Sequence, residues 1–370
     1  MWNNAQFQTD LTQLGFARAD LAEAGIIRNP LFTVLLPLGP KQLELTALIP
    51  IEALWQRPHR VAAAKVEVER VASNLVQTGL DLVRNVKVAW AEAVLARHRI
   101  ELARKSSDLR TRIASIADAR LTAGDISQLE LLTVRVEKRR AEHDVRRLEL
   151  EAVAANERLG TLLGLITPAG LKLSELGEPA RDADDLDAEL RESLGLRPDL
   201  RAAELSIEAT HARASAALAA TFPQTNLVAD ANGAGLQGFE IGPGLQLELP
   251  LFNQNQGQRA RADADYERAI WAYVAARQRV LLEVRQAHGR HAVAKQQLEL
   301  LRAEVLSELG AAVSRAEKAF GGGEVSLLFV LDITRQQLDA WLREAELVAE
   351  LRRAGAELDR SIGRKRLHAN

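Results

Sequence analysis

Arg120-Leu121-Thr122-Ala123-Gly124-Asp125-Ile126-Ser127 and Phe320-Gly321-Gly322-Gly323-Glu324-Val325-Ser326 carry one short pattern twice. Each has a Gly, an acidic residue, a β-branched residue and a Ser, in that order. They lie about 200 residues apart, a spacing that predicts an internal duplication. Gly accepts the positive φ with which a helix ends and reverses. The acidic residue and the Ser suit the start of the next helix. Long Ala/Leu/Arg/Glu-rich stretches flank both motifs, so residues 122–127 and 321–326 read as the turns of two long helical hairpins.

Working outward, no proline interrupts the chain from Pro58 to Pro168. Val61, Ala64, Val68, Val71, Leu75 and Leu82 begin a 3/4-spaced apolar series. It predicts one helix from Pro58 to Leu121, roughly 64 residues and roughly 95 Å long. Leu148, Ala152, Ala155, Leu159 and Leu162 mark the return helix, up to Gly164. A second long helix is expected from Gln258 to Phe320. Its return carries Leu331, Leu338, Trp341, Ala345 and Val348 and fades near Gly363. The two hairpins are thus 53–165 and 253–364. Shorter helices are expected over 1–27 and 198–220, with an irregular segment over 166–197 that holds one short helix near Leu186–Leu194. Each return helix is shorter than its outgoing partner by about the length of one short helix. Stacked end to end, the two would match it. This predicts a single elongated, duplicated unit over 1–370, with strands at one end and hairpin tips at the other.

The strands fall in residues 28–52 and 221–252. Leu31–Leu36 is a β-prone run, and Pro37–Pro40 a turn. Leu43, Leu45, Ala47 and Ile49 alternate with polar residues up to Pro50. Gln224–Ala231 is again β-prone. In Phe239–Leu249, Leu245, Leu247 and Leu249 alternate with Gln246 and Glu248. Four strands cannot close a barrel, which needs at least about eight. Strands of roughly 8–11 residues span an outer membrane when tilted. Three copies in a ring would supply twelve strands and remove the exposed edges.

Composition narrows the function. The 370 residues include 48 basic and 50 acidic ones, a net charge of -2, which argues against a nucleic-acid partner. There is no Cys, so disulfides and thiol chemistry are excluded. Aromatics are 4%, as expected where no thick globular core needs filling. No run of about 18 apolar residues predicts a spanning helix. No Walker loop, Gly-x-Ser-x-Gly elbow or HExxH pair occurs, so neither an enzyme nor a cofactor is expected. Gly233-x-Gly235-x-x-Gly238 resembles a dinucleotide fingerprint but precedes a strand, not a helix. His288 and His291 are expected as surface residues rather than a metal pair. Asp182, Asp184, Asp185 and Asp187 are expected as a solvated loop capping a helix. Trp55 and Phe252 fit two readings equally, an interfacial aromatic belt and packing at a strand–helix junction.

The duplicated helix–strand–strand–hairpin order resembles the TolC family of outer-membrane efflux factors. So do Asn3-Asn4 leading to Arg28-Asn29-Pro30, Leu249-Pro250-Leu251-Phe252, Gly124-x-x-Ser127, Gly323-x-x-Ser326 and Leu327–Asp332. The N-terminal part is similar to the CzcC-like heavy-metal branch. The resemblance implies a mainly α fold in which a trimeric twelve-stranded β-barrel continues into an α-helical barrel. It implies a passive exit duct of a tripartite pump, in the outer membrane with a periplasmic extension. The implied partners are two further copies, outer-membrane lipid, a periplasmic adaptor and an inner-membrane pump. The adaptor would be met at Gly124, Asp125, Ser127, Gly323, Glu324 and Ser326. Family members ring the closed tunnel with two acidic residues near the second tip. Here those positions are Phe329 and Asp332, and the family's Tyr and Arg latch positions are Phe320 and Val325. A narrow, more apolar gate with one acidic ring is therefore expected. The family's signal peptide and first N-terminal helix have no counterpart here, which implies a truncated sequence or a mis-assigned start. Two alternatives from the residues alone are a soluble coiled-coil scaffold and a periplasmic adaptor-like protein.

Overall fold

A computed structural model describes residues 3–36, 43–166, 173, 185–220, 225–233, 239–321 and 325–364. The chain is mainly helical, with one four-stranded antiparallel sheet. In order, the elements are α1 (Ala5–Ala24), β1 (Leu31–Leu35), β2 (Glu44–Pro50), α2 (Ala53–Ala123), α3 (Gln128–Leu163), α4 (Leu186–Leu196) and α5 (Pro198–Ala219). Then come β3 (Thr225–Gly233), β4 (Phe239–Leu247), α6 (Gln256–Leu300), a π-helical segment (Leu301–Leu306), α7 (Ser307–Gly321) and α8 (Leu327–Ile362). No described helix is long and apolar enough to cross a membrane.

Two boundaries differ from the sequence reading. The first long helix begins at Ala53, so Pro58 lies inside it. The turn before Pro58 is already set by backbone bonds from Leu54 to Ile51 and from Gln56 to Glu52. Pro58 is the sixth residue of α2, just past the first turn where the backbone N–H groups are free, so its missing N–H removes one intrahelical bond near the helix start. The second long helix is not uniform. Six residues, Leu301–Leu306, take the wider π winding between α6 and α7. Such a segment takes up an extra residue without ending the helix.

The chain forms two compact units. The first gathers Thr9–Gln77 and Arg197–Val280 and contains the sheet. Its strands lie in the order β1-β2-β3-β4, so the two halves of the duplication meet where β2 pairs with β3. Bonds from Ile51 N to Thr225 O and from Gly233 N to Leu43 O lengthen that central ladder at both ends. Asn255, with φ 61, donates its side chain to the Ala217 carbonyl and ties the start of α6 to α5.

The second unit gathers Met1–Gln8, Thr78–Leu196 and Leu281–Asn370. Its core is a set of helix seams rather than a globular centre. Ala89, Ala93 and Leu159 pack α2 on α3, and Ala294, Leu298, Leu347 and Leu351 pack α6 on α8. Small residues at these seams let helix axes approach closely. Arg360 clamps three helices. It donates to Asp81 of α2 at 2.7 Å and to Glu283 of α6 at 2.6 Å. Gly164 ends α3 with φ 73, and a Cβ there would lie 2.0 Å from the Asn3 carbonyl oxygen. Asn4 then donates to the Leu162 carbonyl and accepts from Phe7 N, which caps α1.

Candidate functional site

The ladder registers decide which side chains share a face of the sheet. Directly paired residues of antiparallel strands point the same way, and neighbours along a strand point opposite ways. Phe32–Ala47–Ala229–Pro243 form one cross-strand row, and Val34–Leu45–Ala231–Ile241 another. Ile49–Leu227–Leu245 and Thr225–Leu247 continue the same face. Apart from Thr225, that face is wholly apolar. The opposite face holds Thr33, Thr46, Asp230, Asn226, Asn232, Glu240 and Gln246, with Leu31, Leu35, Leu48 and Val228 among them. The apolar face is not buried. Ile241 is 77% exposed, Leu245 64% and Phe32 63%. A water-soluble sheet turns such a face inward; this one presents it outward. The sequence showed the alternation in β2 and β4. Only the register shows that β1 and β3 add Phe32, Val34, Leu227 and Ala229 to the same side.

The first tip is closed by two reciprocal devices. At the end of α2, Gly124 adopts φ 83, with Gly124 N bonded to Leu121 O and Asp125 N to Arg120 O. These two bonds satisfy carbonyls that the helix leaves open. At the start of α3, Ser127 Oγ accepts from Glu130 N, and Glu130 Oε2 accepts from Ser127 N at 2.7 Å. That backbone bond holds the Glu130 carboxyl below the usual carboxylate range. The sequence reading missed Glu130, although Ser-x-x-Glu is a recognisable capping signature. Gly124, Asp125 and Ser127 are all exposed.

The second tip is built differently. Gly323 and Glu324 lie outside the described residues. Ser326 caps α8 by accepting from Phe329 N, and Phe329 stands where the first tip has its glutamate. Phe329 is 50% exposed, and Asp332, one turn on, is also exposed. Gln336 donates to Asp332 Oδ2 at 2.8 Å. Phe329, Asp332 and Gln336 thus share an outward stripe of α8. The adjacent Leu331 turns inward, onto Ile113, Ala114, Ala117, Leu131 and Val134, which also receive Ile126 of the first tip. The two hairpin ends are therefore held together by one apolar cluster.

The other candidates resolve individually. His288 is not a bare surface residue: its Nδ1 lies 2.8 Å from Oε2 of the fully buried Glu189 on α4. His291 is buried, and burial pulls its imidazole below its ordinary pKa, while Glu189 pulls the other way. Among the described residues no group of three metal-capable side chains occurs. Asp182, Asp184, Gly235 and Gly238 lie outside the described residues, as does the Pro37–Pro40 turn. Phe252 is 93% exposed, whereas Trp55 is half-buried, so the two are not equivalent.

Comparison with known proteins covers nearly the whole chain. The family model described as outer membrane efflux protein matches residues 40–165 and 190–364. The cobalt-zinc-cadmium resistance protein CzcC of Cupriavidus metallidurans is 25% identical, over 98% of this chain and 87% of that protein. The outer-membrane channel OprN is similar in structure with a TM-score of 0.80 at 22% identity, covering 97% of this chain and 87% of that one. CusC, whose structures address transmembrane channel formation, gives a TM-score of 0.78 at 20% identity, over 97% and 89%. A match to both halves of the duplication leaves no room for the scaffold or adaptor-like alternatives.

Proposed function

Because the chain belongs to the outer membrane efflux protein family, and so is an outer-membrane efflux channel with a periplasmic extension rather than an enzyme, we propose that three copies form the passive exit duct of a tripartite pump. The observation that supports this best is the exposed apolar face of the sheet. Four strands leave β1 and β4 as edges. Pairing β4 of one copy with β1 of the next gives a closed twelve-stranded cylinder, with lipid outside and Asp230, Asn232 and Glu240 toward water inside. The duct performs no chemistry, and its energy comes from the inner-membrane pump. Neither a cofactor nor nucleic acid takes part.

A periplasmic adaptor docks at the tips, on Gly124, Asp125, Ser127, Gly323, Glu324 and Ser326. The Gly and Ser positions among them allow close helix packing. The gate is the Phe329–Asp332 stripe of α8. Around a threefold axis it gives a ring of three phenyl groups and a ring of three carboxylates. Carboxylate rings favour cations. The match to a cobalt-zinc-cadmium resistance protein supports divalent metal ions as cargo.

Single-channel recording in planar bilayers tests the reading. The detergent-extracted protein should be a trimer that conducts weakly. Phe329→Ala should raise conductance, and Asp332→Asn should reduce cation preference. Unchanged channels in both variants would remove these residues from the gate. A non-conducting monomer would sink the duct.

A further inference from the structure

On α6, Val284, Ala287, His291, Ala294 and Leu298 recur at alternating spacings of three and four, the period of a seam between paired helices. All five are buried. Val284 and Ala287 pack on Leu358 and Ile362 of α8, and Ala294 and Leu298 pack on Leu347 and Leu351. His291 falls between these two apolar clusters and is the one titratable member of the series. Its ring lies against Gly355 of α8, where even a Cβ would stand 3.7 Å from it.

The closed seam is built for a neutral ring. His291 Nδ1 is buried with no hydrogen-bond partner among the described residues. Two carboxylates face the ring, Glu189 from α4 and Asp359 from α8, and so do His288 and Lys295 of α6 itself. Both carboxylates are engaged elsewhere. Glu189 Oε2 lies 2.8 Å from His288 Nδ1, and Asp359 accepts from Lys87 of α2 at 3.0 Å. Glu189 Oε1 is buried and unpartnered as well, so it and His291 Nδ1 do not meet. Burial outweighs these charges and pulls the imidazole below its ordinary 6.5. A charge placed on the ring drives it toward water.

The first hairpin has no counterpart to this group. Among the described residues, α2 and α3 bury no titratable side chain. Their shared seam is Ala89, Ala93 and Leu159, which no proton can charge.

We propose that His291 is a proton-operated release in the second hairpin: acid charges the ring and opens the α6–α8 seam at this height, while the α2–α3 seam stays shut. The closed seam holds the ring at a lowered pKa, and an opened seam lets it titrate near its ordinary value. The seam is therefore fully held above about pH 6.5, and each pH unit below that favours opening by up to about tenfold. The consequence for function rests on the duct reading above. α8 is one helix from Gly355 back to Asp332 and Phe329, so loosening its seam frees the helix that carries the gate.

The natural chain has no cysteine, so a single engineered thiol reports on each seam. Ala294→Cys and Ala93→Cys replace residues that are each 1% exposed. Each full-length variant is labelled in detergent with a maleimide. The ratio of their rates, second hairpin over first, should rise at least threefold from about pH 7 to about pH 5. His291→Leu and His291→Gln should each hold the ratio level. A level ratio in the natural background, or an equal rise in both His291 variants, would overturn the release. A rise lost in His288→Gln and kept in both His291 variants would overturn the assignment to His291. In planar bilayers, acid should raise conductance at least twofold in the natural background and not in His291→Leu. A labelling rise without a conductance rise would refute the link to the gate. A chain that never conducts would sink the duct reading and leave the release standing.

Discussion

Arginine placed at Ala229 should prevent the sheet from functioning in a membrane. Ala229 is exposed on the apolar face, in the row Phe32–Ala47–Ala229–Pro243. It is also the middle residue of the nine-residue β3. Nine residues at about 3.3 Å each extend about 30 Å. Tilted by about 40°, they cover about 23 Å of bilayer, close to the ~25 Å apolar band of such barrels. Ala229 then sits near the midplane, where an outward arginine costs about 2–4 kcal/mol. Each protomer carries the change, so a trimer bears about 6–12 kcal/mol, comparable to the whole stability of a typical domain. The control is Thr46→Arg, one row away on the polar face and paired with Asp230. An arginine there faces water and a carboxylate, and its cost should stay under about 1 kcal/mol. Urea titration of protein refolded into lipid vesicles, read by tryptophan fluorescence, measures both. Equal midpoints, or a worse Thr46→Arg, would refute the assignment of the apolar face to lipid.

Three further outcomes are expected. Gly164→Ala should lower stability by about 2–3 kcal/mol, from positive-φ strain and loss of the Asn4 cap as Asn3 is pushed away; Gly124→Ala, at a similar φ but with open space around it, should lose only about 1 kcal/mol of local stability, and similar losses in chemical denaturation would contradict this. Arg360→Ala should cost about 2 kcal/mol, because two charge-assisted bonds are lost at a partly exposed site, and Arg360→Lys should recover only part, since one ammonium lacks the fork that reaches both carboxylates. His291, faced by Glu189, His288, Lys295 and Asp359, has a folded-state pKa lowered by burial from its ordinary 6.5; the unfolded chain therefore takes up its proton first, and stability should fall as pH drops below about 6.5. In His291→Gln the denaturation midpoint should change less between pH 7 and 5, and an unchanged slope would remove His291 from the acid sensitivity.

Much of this fold is written in local spacing. The tips show as Gly-acidic-β-branched-Ser, and the ends of α3 and α8 show as Gly164 and Gly363, both of which adopt positive φ. What the spacing does not carry is pairing across distance. In β1 the run Leu31–Leu35 is apolar throughout, so only its register against β2 shows that Phe32 and Val34 share a side with Leu45 and Ala47. The Glu189–His288 bond spans 99 residues, and neither residue marks the other in sequence. Pro58 misled by resembling a helix start, although the backbone bonds of Ile51 and Glu52 had already begun the turn. Of the gate candidates, the sequence supplied the i, i+3 spacing of Phe329 and Asp332. It gave no sign that Leu331 anchors that helix to the first tip.

The π segment at Leu301–Leu306 has a consequence for how the two halves can diverge. A wider turn stores one residue of surplus length. Removing a residue there should return the helix to α winding and leave α7 in phase, with the second hairpin's seams intact. Removing a residue from the middle of α2, which runs as α-helix throughout, would rotate everything beyond it by about 100° and turn its alanine seams to solvent. The duplication is therefore unequal in its tolerance of length change. One single-residue deletion can be absorbed at this segment of the second half, while α2 in the first must change by whole turns.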